Sequence, residues 1–114
     1  PYPTGVVTPG YAPPEAFDPQ QRAHLDRRFD IFCLGATMFH ALSGTRPIAL
    51  LPDPYNLDSA PDFSPGNVTA RAPDYNPTRL TRGIVQRATR PRHWRRYRSI
   101  EDMRADVLNA LGKD

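Results

Sequence analysis

Proline is the feature of this sequence that most limits how the chain can fold. Fourteen of the 114 residues are prolines, against a usual frequency of ~5%. Six lie in residues 1–20 and seven in residues 45–77. Because proline fixes φ and lacks a backbone donor, we expect residues 1–20 to form an irregular loop with a short helical turn near residues 14–17. Residues 45–77 are too long for an ordinary connection, so we expect an irregular Pro-rich loop that either contains short helical turns or is partly mobile.

Between these loops, apolar residues recur at helical spacing from about residue 28 to residue 44. They occupy positions i, i+3, i+4, i+7, i+8 and i+11, which are Ile31, Leu34, Gly35, Met38, Phe39 and Leu42. Phe32, Cys33 and Ala36 add apolar surface on the other faces. A helix that is apolar nearly all round is a buried one. This segment is therefore predicted to be the central helix of the fold, with Gly44 as its C-terminal stop.

Two more helices are predicted in residues 78–111. The first covers about residues 78–89, and its inward face is predicted to consist of Leu80, Ile84, Val85 and Ala88. The second begins at a capping-box pattern of Ser99 and Asp102 and ends at Gly112. Its predicted apolar stripe consists of Ile100, Met103, Val107, Leu108 and Leu111. The sequence thus predicts one small, mainly α domain with about three main helices and long Pro-rich loops.

Composition argues against several kinds of site. Cys33 is the single cysteine, so the chain forms no internal disulfide, and its apolar helical context predicts a buried, unreactive thiol. The three histidines lack the spacing of metal ligands, so we expect no metal site. The sequence has no run of ~18 apolar residues and no basic, apolar leader. We therefore expect no membrane segment and a cytoplasmic location.

The net charge of +3 hides a local asymmetry. Residues 87–98 contain six arginines and no acidic residue, and without these six the chain carries 9 basic and 12 acidic residues. Since His93, Trp94 and Tyr97 are interleaved, this Arg-rich segment has the composition of sites that bind RNA or single-stranded DNA through phosphate contacts and stacking. We favour a simpler interpretation, a solvated loop with one arginine used internally, and so expect no nucleic-acid partner.

Two short motifs carry the strongest functional signal. The first is Thr8-Pro9-Gly10-Tyr11-Ala12-Pro13-Pro14-Glu15, and the second is Asp30-Ile31-Phe32-Cys33-Leu34-Gly35. In this order and at this separation they resemble the end of the activation segment and the start of the central helix of a bacterial-type serine/threonine protein kinase. Residues 96–103 resemble the start of the final helical region of such a kinase. The resemblance implies that residues 1–114 are part of a kinase C-terminal lobe, with the end of the activation segment in residues 1–20.

The resemblance also implies a substrate-binding shelf, formed by Thr8, Pro9, Gly10 and Tyr11. Thr8 would support the catalytic loop and favour Ser/Thr hydroxyls over tyrosine. Gly10 suits a tight turn, because glycine adopts φ values that other residues resist.

Three further residues would hold the lobe together. By resemblance, Asp30 would accept hydrogen bonds from backbone N–H groups of the catalytic loop, which are strong because the acceptor is charged. Glu15 would form an ion pair with Arg96, with Arg95 as the adjacent alternative. If such a pair is buried, removing one partner leaves an uncompensated charge.

A kinase of this kind would transfer the γ-phosphoryl group of ATP to Ser or Thr hydroxyls of a protein substrate, with Mg²⁺ at the phosphates. The sequence lacks the Gly-rich loop, the strand lysine, the His-Arg-Asp catalytic loop and the Asp-Phe-Gly motif. We therefore expect no catalytic residue in this chain, no ATP or metal bound by it alone, and the rest of the kinase domain as its partner. Two alternatives stay open: a pseudokinase scaffold, and a small helical binding module whose basic loop binds nucleic acid.

Overall fold

The computed structural model describes residues 9–18, 20, 26–54 and 59–113. These residues form four α-helices, which are α1 (Arg27–Ser43), α2 (Pro65–Arg71), α3 (Arg79–Ala88) and α4 (Ile100–Lys113). Three short 3-10 helices accompany them at Pro14–Phe17, Pro47–Leu50 and His93–Arg95. No β-strand occurs within these ranges, so the predicted mainly α class is confirmed for them. The helices seen here also do not combine the length and the apolarity needed to cross a membrane.

Helix α1 is the central element of the core, as its apolar sequence predicts. At its start the Asp26 carboxylate accepts a hydrogen bond from the backbone N–H of Arg28 at 2.8 Å, the usual N-cap contact. At its end Gly44 has a φ of +70°, the left-handed conformation that stops a helix. The buried positions between these caps are Phe29, Ile31, Phe32, Gly35, Ala36 and Phe39. The helix therefore begins one residue before its predicted start and stops where predicted.

Three apolar clusters surround α1 and attach the rest of the chain to it. One contains Phe32 and Phe39 and extends to Leu50 and Phe63 in the Pro-rich region. A second contains Ile31 together with buried residues of α3 and α4. The third packs Phe29 against the segment around the first 3-10 helix. Each cluster uses a different part of the α1 surface, but the prediction that α1 is buried nearly all round is wrong for Leu34 and Leu42, which are 41% and 48% exposed.

Helices α3 and α4 form where the sequence predicts them, but some of their predicted core residues face solvent. In α3, Leu80 is 41% exposed, whereas the other three predicted residues are buried. In α4, Ser99 caps the helix as predicted, since its Oγ accepts from the N–H of Asp102 at 3.2 Å. The predicted stripe of α4 is wrong for Ile100, Leu108 and Leu111, which are exposed, while Met103 and Ala110 are buried.

The predicted end of α4 is also wrong. Gly112 lies inside the helix, which continues to Lys113, and does not act as the residue that stops it. A glycine can end a helix only where the chain turns away, and no positive φ is found at Gly112. The exposed apolar residues of α4 leave its outer face without a neighbour among the described residues.

The Pro-rich region 45–77 is more regular than predicted. It contains the 3-10 helix Pro47–Leu50 and a seven-residue helix, α2, in addition to irregular chain. Of the two alternatives for this region, the one with short helical segments describes these parts. Asn67 of α2 fastens the region together, because its side-chain amide donates to the carbonyl of Leu50 at 2.9 Å and to that of Asp62 at 2.6 Å.

Candidate functional site

The candidate site is organised by an ion pair between Glu15 and Arg96. Arg96 donates from Nη1 to Glu15 Oε2 at 2.5 Å and from Nη2 to Glu15 Oε1 at 2.8 Å. This is the two-bond geometry in which a planar guanidinium best fits a carboxylate. The two residues lie 81 positions apart, so the contact fixes the loop that ends at Glu15 against the far part of the chain. The pairing expected from the sequence is thus formed.

The guanidinium of Arg96 is fully used by the protein. Besides the two bonds to Glu15, it donates from Nε to the carbonyl of Arg90 at 2.7 Å. Its Nη1 and Nη2 also donate to the carbonyls of Arg28 and Pro91, each at 3.1 Å. An arginine has five N–H donors, and all five are satisfied here. This one side chain therefore joins the first loop, the start of α1 and the segment after α3.

The ion pair is withdrawn from water. Arg96 is 2% exposed and Glu15 is 7% exposed. The guanidinium carbon of Arg96 lies 4.9 Å from the centre of the Phe32 ring, a cation–π contact with α1. A buried pair of this kind is costly to break, by about 3–5 kcal/mol, because the remaining charge is left without its partner. The pair therefore holds the loop in place against α1.

The structure also shows which of the two candidate arginines, Arg95 or Arg96, pairs with Glu15: it is Arg96. Arg95 is exposed, its N–H donates to the carbonyl of Arg92, and its own carbonyl accepts from Nη1 of Arg90 at 2.9 Å. The side chain of Arg96 points inward instead, because the 3-10 helix His93–Arg95 ends just before it. Sequence spacing alone does not distinguish two neighbouring arginines, whereas the 3-10 helix that contains Arg95 and ends before Arg96 does.

Of the predicted shelf residues, Pro9, Gly10 and Tyr11 are described, and Thr8 lies outside the described residues. Gly10 is buried and has a φ of +92°, so the tight turn predicted there is present. A Cβ at Gly10 would lie 2.5 Å from the backbone nitrogen of Ile48. Glycine is thus required at this position both by the backbone conformation and by the close approach of the chain.

Tyr11 makes a contact that the sequence did not predict. Its hydroxyl lies 2.8 Å from Nδ1 of His40, and the two rings are 6.3 Å apart at their centres. Since His40 is on the last turn of α1, this bond holds the turn at Gly10 against the C-terminal half of that helix. No local pattern signals the contact, because the two residues are 29 positions apart.

Asp30 lies on the exposed side of the first turn of α1. Its charge is felt by Cys33, one turn along the helix. The pKa of the Cys33 thiol is raised to about 11, first by burial and next by the negative charge of Asp30. The thiol is therefore protonated at neutral pH, as expected for an unreactive cysteine, although Cys33 is half-buried rather than fully buried.

Arg96 of the Arg-rich segment binds outside the segment, whereas Arg90 and Arg87 contact residues within it. Arg96 forms the ion pair, Arg90 donates to the carbonyl of Arg95, and the guanidinium of Arg87 lies 4.4 Å from the centre of the Tyr97 ring. From the sequence we expected only one arginine of this segment to contact other groups of the protein. The segment therefore presents less free positive charge than its composition suggests.

Trp94 is the large apolar side chain of the same segment that is exposed to solvent. Its side chain is 60% exposed, with the His93 ring edge-on to it at 5.1 Å and the Arg92 guanidinium 5.8 Å from the ring centre. Tyr97, by contrast, is buried, and its hydroxyl donates to a carboxylate oxygen of Asp106 at 2.7 Å. Of the aromatic residues in the segment, Trp94 is thus open to a partner and Tyr97 is part of the core.

Comparison with known proteins gives no match: no family model, no curated protein and no solved structure is similar to this chain. Within the described part of the chain, no group of three or more His, Cys, Asp or Glu side chains is placed to hold a metal ion. Any function assigned to the site therefore depends on its residues and their geometry.

Proposed function

We propose that this chain is the latter part of a protein-kinase C-terminal lobe, belonging to a serine/threonine kinase that phosphorylates protein substrates. The observation that carries the proposal is the buried ion pair between Glu15 and Arg96. The pair joins the loop at the end of the first motif, residues 8–15, to helix α1, which contains the second motif, residues 30–35. Arg96 is also the first residue of the third kinase-like segment, residues 96–103. The three parts of the sequence that resemble a kinase thus meet at one contact.

The exposed strip along α1 also supports the proposal. Asp30, Leu34, Thr37 and Ala41 are exposed, whereas the six core positions of the helix are buried. They follow one another at helical spacing of three or four residues, so they share a face. In the proposal, this face packs against the catalytic loop and the helices before it, and Asp30 accepts hydrogen bonds from that loop. An apolar residue such as Leu34, 41% exposed, suits a face that another segment covers.

The roles of the remaining residues follow from the family resemblance. Thr8, Pro9, Gly10 and Tyr11 would bind the protein substrate near the acceptor hydroxyl, and Glu15 and Arg96 would hold this shelf in position. The rest of the kinase domain would supply the catalytic loop and would bind ATP and Mg²⁺. The proposal includes a cytoplasmic location. It assigns no catalytic residue and no ATP site to this chain.

The test is phosphoryl transfer by the full-length protein encoded by the gene. With labelled ATP, Mg²⁺ and a generic protein substrate, we expect label on Ser and Thr. The Thr8→Ala variant is expected to lower kcat, because the hydroxyl that supports the catalytic loop is lost. The matched control is Ser64→Ala, which removes another hydroxyl from an exposed position where no capping bond is made, and it should leave kcat unchanged.

Two outcomes would contradict this proposal in different ways. A folded full-length protein that binds no ATP would identify a pseudokinase scaffold. Phosphorylation by the isolated chain would show that the chemistry resides in these residues and that the assignment of a catalytically empty scaffold is wrong.

A second candidate function is favoured by one observation, the exposure of Trp94 beside Arg92. In this alternative the chain is a small helical module that binds single-stranded nucleic acid by stacking on Trp94 and by phosphate contacts. Fluorescence anisotropy with a labelled single-stranded oligonucleotide tests it at several salt concentrations. Binding that weakens with salt and is lost in Trp94→Ala, but is kept in the control Arg104→Gln at an exposed position of α4, would support the module. Absence of salt-dependent binding would eliminate it.

A further inference from the structure

A cleft of about 290 Å³ lies between α3 and α4. Its volume is close to the lower limit for small-molecule sites in proteins, ~300 Å³, so it suits a compact ligand. The polar side chains of its lining that are also exposed to solvent are Arg79, Arg87, Arg90, Asp106 and Asn109. A ligand that enters from solvent can therefore reach these groups without moving the core.

The three arginines give this cleft an excess of positive charge. Together with Asp106, they bring the formal charge of its lining to +2. Within the described part of the chain, none of the three forms an ion pair with Asp106 or with another carboxylate. Guanidinium groups that share a cleft without a counter-ion repel one another, so an anion that enters the cleft relieves the repulsion.

Arg87 and Arg90 lie close together, around Tyr97. The guanidinium of Arg87 lies 4.4 Å from the centre of the Tyr97 ring. Burial raises the pKa of the Tyr97 phenol, and the charges of both arginines oppose that rise, as expected for guanidinium groups near the hydroxyl. Arg90 donates one hydrogen bond, from Nη1 to the carbonyl of Arg95, and the guanidinium of Arg87 donates none to the described residues. Because each guanidinium has five N–H donors, most of the ten are left for a ligand.

Two neighbouring guanidinium groups with this charge suit a phosphate better than a carboxylate. Each guanidinium can donate two parallel bonds to phosphate oxygens. A phosphate monoester carries about two negative charges at neutral pH, which matches the charge of the lining, whereas a carboxylate carries one. Asp106 makes the cleft unsuited to a polyphosphate or a nucleic-acid strand, because a second phosphate would meet its carboxylate.

The α4 side of the cleft offers groups for the rest of the ligand. Asp106 and Asn109 are three residues apart on α4, so they share a face of the helix. One carboxylate oxygen of Asp106 accepts from the Tyr97 hydroxyl at 2.7 Å, which fixes the carboxylate and leaves its other oxygen to accept from a ligand. The Asn109 amide is exposed and has both donors and an acceptor. A fixed carboxylate beside an amide can hydrogen-bond to the hydroxyl groups of a sugar.

Gly83 of α3 leaves open space beside these groups. It lines the cleft, and a Cβ atom built on it would meet nothing within 4 Å. Packing of the fold therefore does not require glycine at this position, and glycine inside a helix is less stable than alanine. The missing side chain makes room for the body of a ligand against α3.

We propose that this cleft binds a small sugar phosphate. Arg87 and Arg90 bind the phosphate through their free N–H groups. The sugar lies over Gly83, and its hydroxyl groups bond to Asp106 and Asn109. The site stands on these residues alone and does not depend on the proposed kinase function.

The test is a calorimetric titration of the protein with ribose 5-phosphate, with ribose and with inorganic phosphate. Low ionic strength is used, because salt screens exposed charges. We expect saturable binding of ribose 5-phosphate and no detectable binding of ribose. Inorganic phosphate should bind about tenfold more weakly, since it lacks the hydrogen bonds to Asp106 and Asn109. Arg87→Gln and Arg90→Gln should each weaken the binding of ribose 5-phosphate by about tenfold, because each removes bonds to a charged group.

Two further variants separate the space and the sugar contacts from the charge. Gly83→Leu changes no charge and keeps a good helix former, but its side chain fills the cleft, so affinity for ribose 5-phosphate should fall by at least about tenfold. Asn109→Ala should weaken ribose 5-phosphate and leave inorganic phosphate unchanged.

The matched control is Arg82→Gln, which removes an exposed arginine from the same helix outside the cleft lining. Its affinity for ribose 5-phosphate should equal that of the unmodified protein. Thermal unfolding of each variant checks the fold. If Arg87→Gln fails to fold because its contact with Tyr97 is lost, Gly83→Leu and Asn109→Ala still decide. No saturable binding, equal affinity for ribose 5-phosphate and inorganic phosphate, or unchanged affinity in Gly83→Leu would each overturn the proposal. Tighter binding of a single-stranded oligonucleotide that is lost in Gly83→Leu would overturn it in favour of nucleic acid.

Discussion

Gly35 of α1 packs directly against Ala88 of α3. A Cβ atom built on Gly35 would lie 2.7 Å from the Cβ of Ala88 and 2.9 Å from Cγ2 of Thr89. Side-chain atoms do not approach one another so closely, and the methyl group of alanine has no rotamer by which it could move aside. The missing side chain at Gly35 therefore sets how near α3 lies to α1. The segment that carries Arg96 follows α3, so this contact also helps to bring Arg96 to Glu15.

The first prediction concerns this helix contact. Gly35→Ala should lower the free energy of unfolding by about 1–3 kcal/mol, because the added methyl group overfills the contact with Ala88. The matched control is Gly83→Ala in α3, where an added Cβ meets nothing within 4 Å. That change should raise stability by about 0.5–1 kcal/mol, since alanine favours a helix over glycine. Urea unfolding measures both, and a Gly35→Ala protein as stable as the control would refute the packing argument.

The second prediction concerns the ion pair. Glu15→Gln should lower the free energy of unfolding by about 3–5 kcal/mol, because the guanidinium of Arg96 remains buried with a neutral partner. Arg96→Lys should also be strongly destabilising, even though the charge is kept. An ammonium group has three donors and cannot reproduce the five bonds that Arg96 makes. Urea unfolding checks both changes, and a fully stable Arg96→Lys variant would show that the bond geometry is unimportant.

Exchange of the two charges should fail to restore stability. In a Glu15→Arg, Arg96→Glu protein the carboxylate at position 96 would face the carbonyls of Arg90, Arg28 and Pro91, which accept from Arg96 in the native chain. A carboxylate cannot donate to these carbonyls and would be repelled by them. We expect the double variant to be at least as unstable as either single variant. Recovery of stability would mean that the charges matter and the three carbonyl contacts do not.

Much of the fold could be predicted because its signals are local. Helix α1 was predicted from its apolar periodicity and from Gly44, and the turn at residues 14–17 was predicted from its prolines. The pairing of Glu15 with Arg96 was predicted only through the family resemblance, because no local pattern joins residues so far apart. The choice between Arg95 and Arg96 depended on a turn that sequence spacing did not specify.

The rest required contacts between distant segments. Leu108 and Leu111 lie on the apolar side of α4, yet α3 packs on an adjacent side where Met103 and Ala110 are buried. Periodicity shows which residues share a face but not which face finds a neighbour. The position of helix α2 within residues 45–77 was not predicted, because its seven residues are too few for a periodic pattern. The cleft between α3 and α4 also depends on three separate segments meeting, and no single motif indicates it.

The third prediction concerns the reactivity of Cys33. Because burial and then the charge of Asp30 raise the pKa of its thiol to about 11 from 9.0, the folded protein should react slowly with iodoacetamide at neutral pH. The rate should rise with a midpoint near pH 11, whereas the chain unfolded in urea should show a midpoint near 9. In Asp30→Asn the midpoint should move down, since a charge that opposes the thiolate is removed. Circular dichroism at each pH confirms that the chain stays folded, and identical midpoints with and without urea would contradict the prediction.

The last prediction concerns the alkaline stability that Tyr97 confers. Burial raises the pKa of this phenol above its ordinary value of 10.0, and the hydrogen bond to Asp106 and the negative charge of that residue raise it further. The folded state therefore holds the phenol proton more tightly than the unfolded chain, so the stability from Tyr97 is complete below about pH 10 and is lost as the pH rises above it. At neutral pH, Tyr97→Phe should be less stable by about 1 kcal/mol, because the bond to Asp106 is lost. As the pH rises past 10.0 the difference should shrink, since the unmodified protein loses stability through a group that the variant lacks. Urea unfolding of both proteins between about pH 7 and pH 11 measures this difference, and a constant gap would show that the phenol does not gain its proton affinity from the fold.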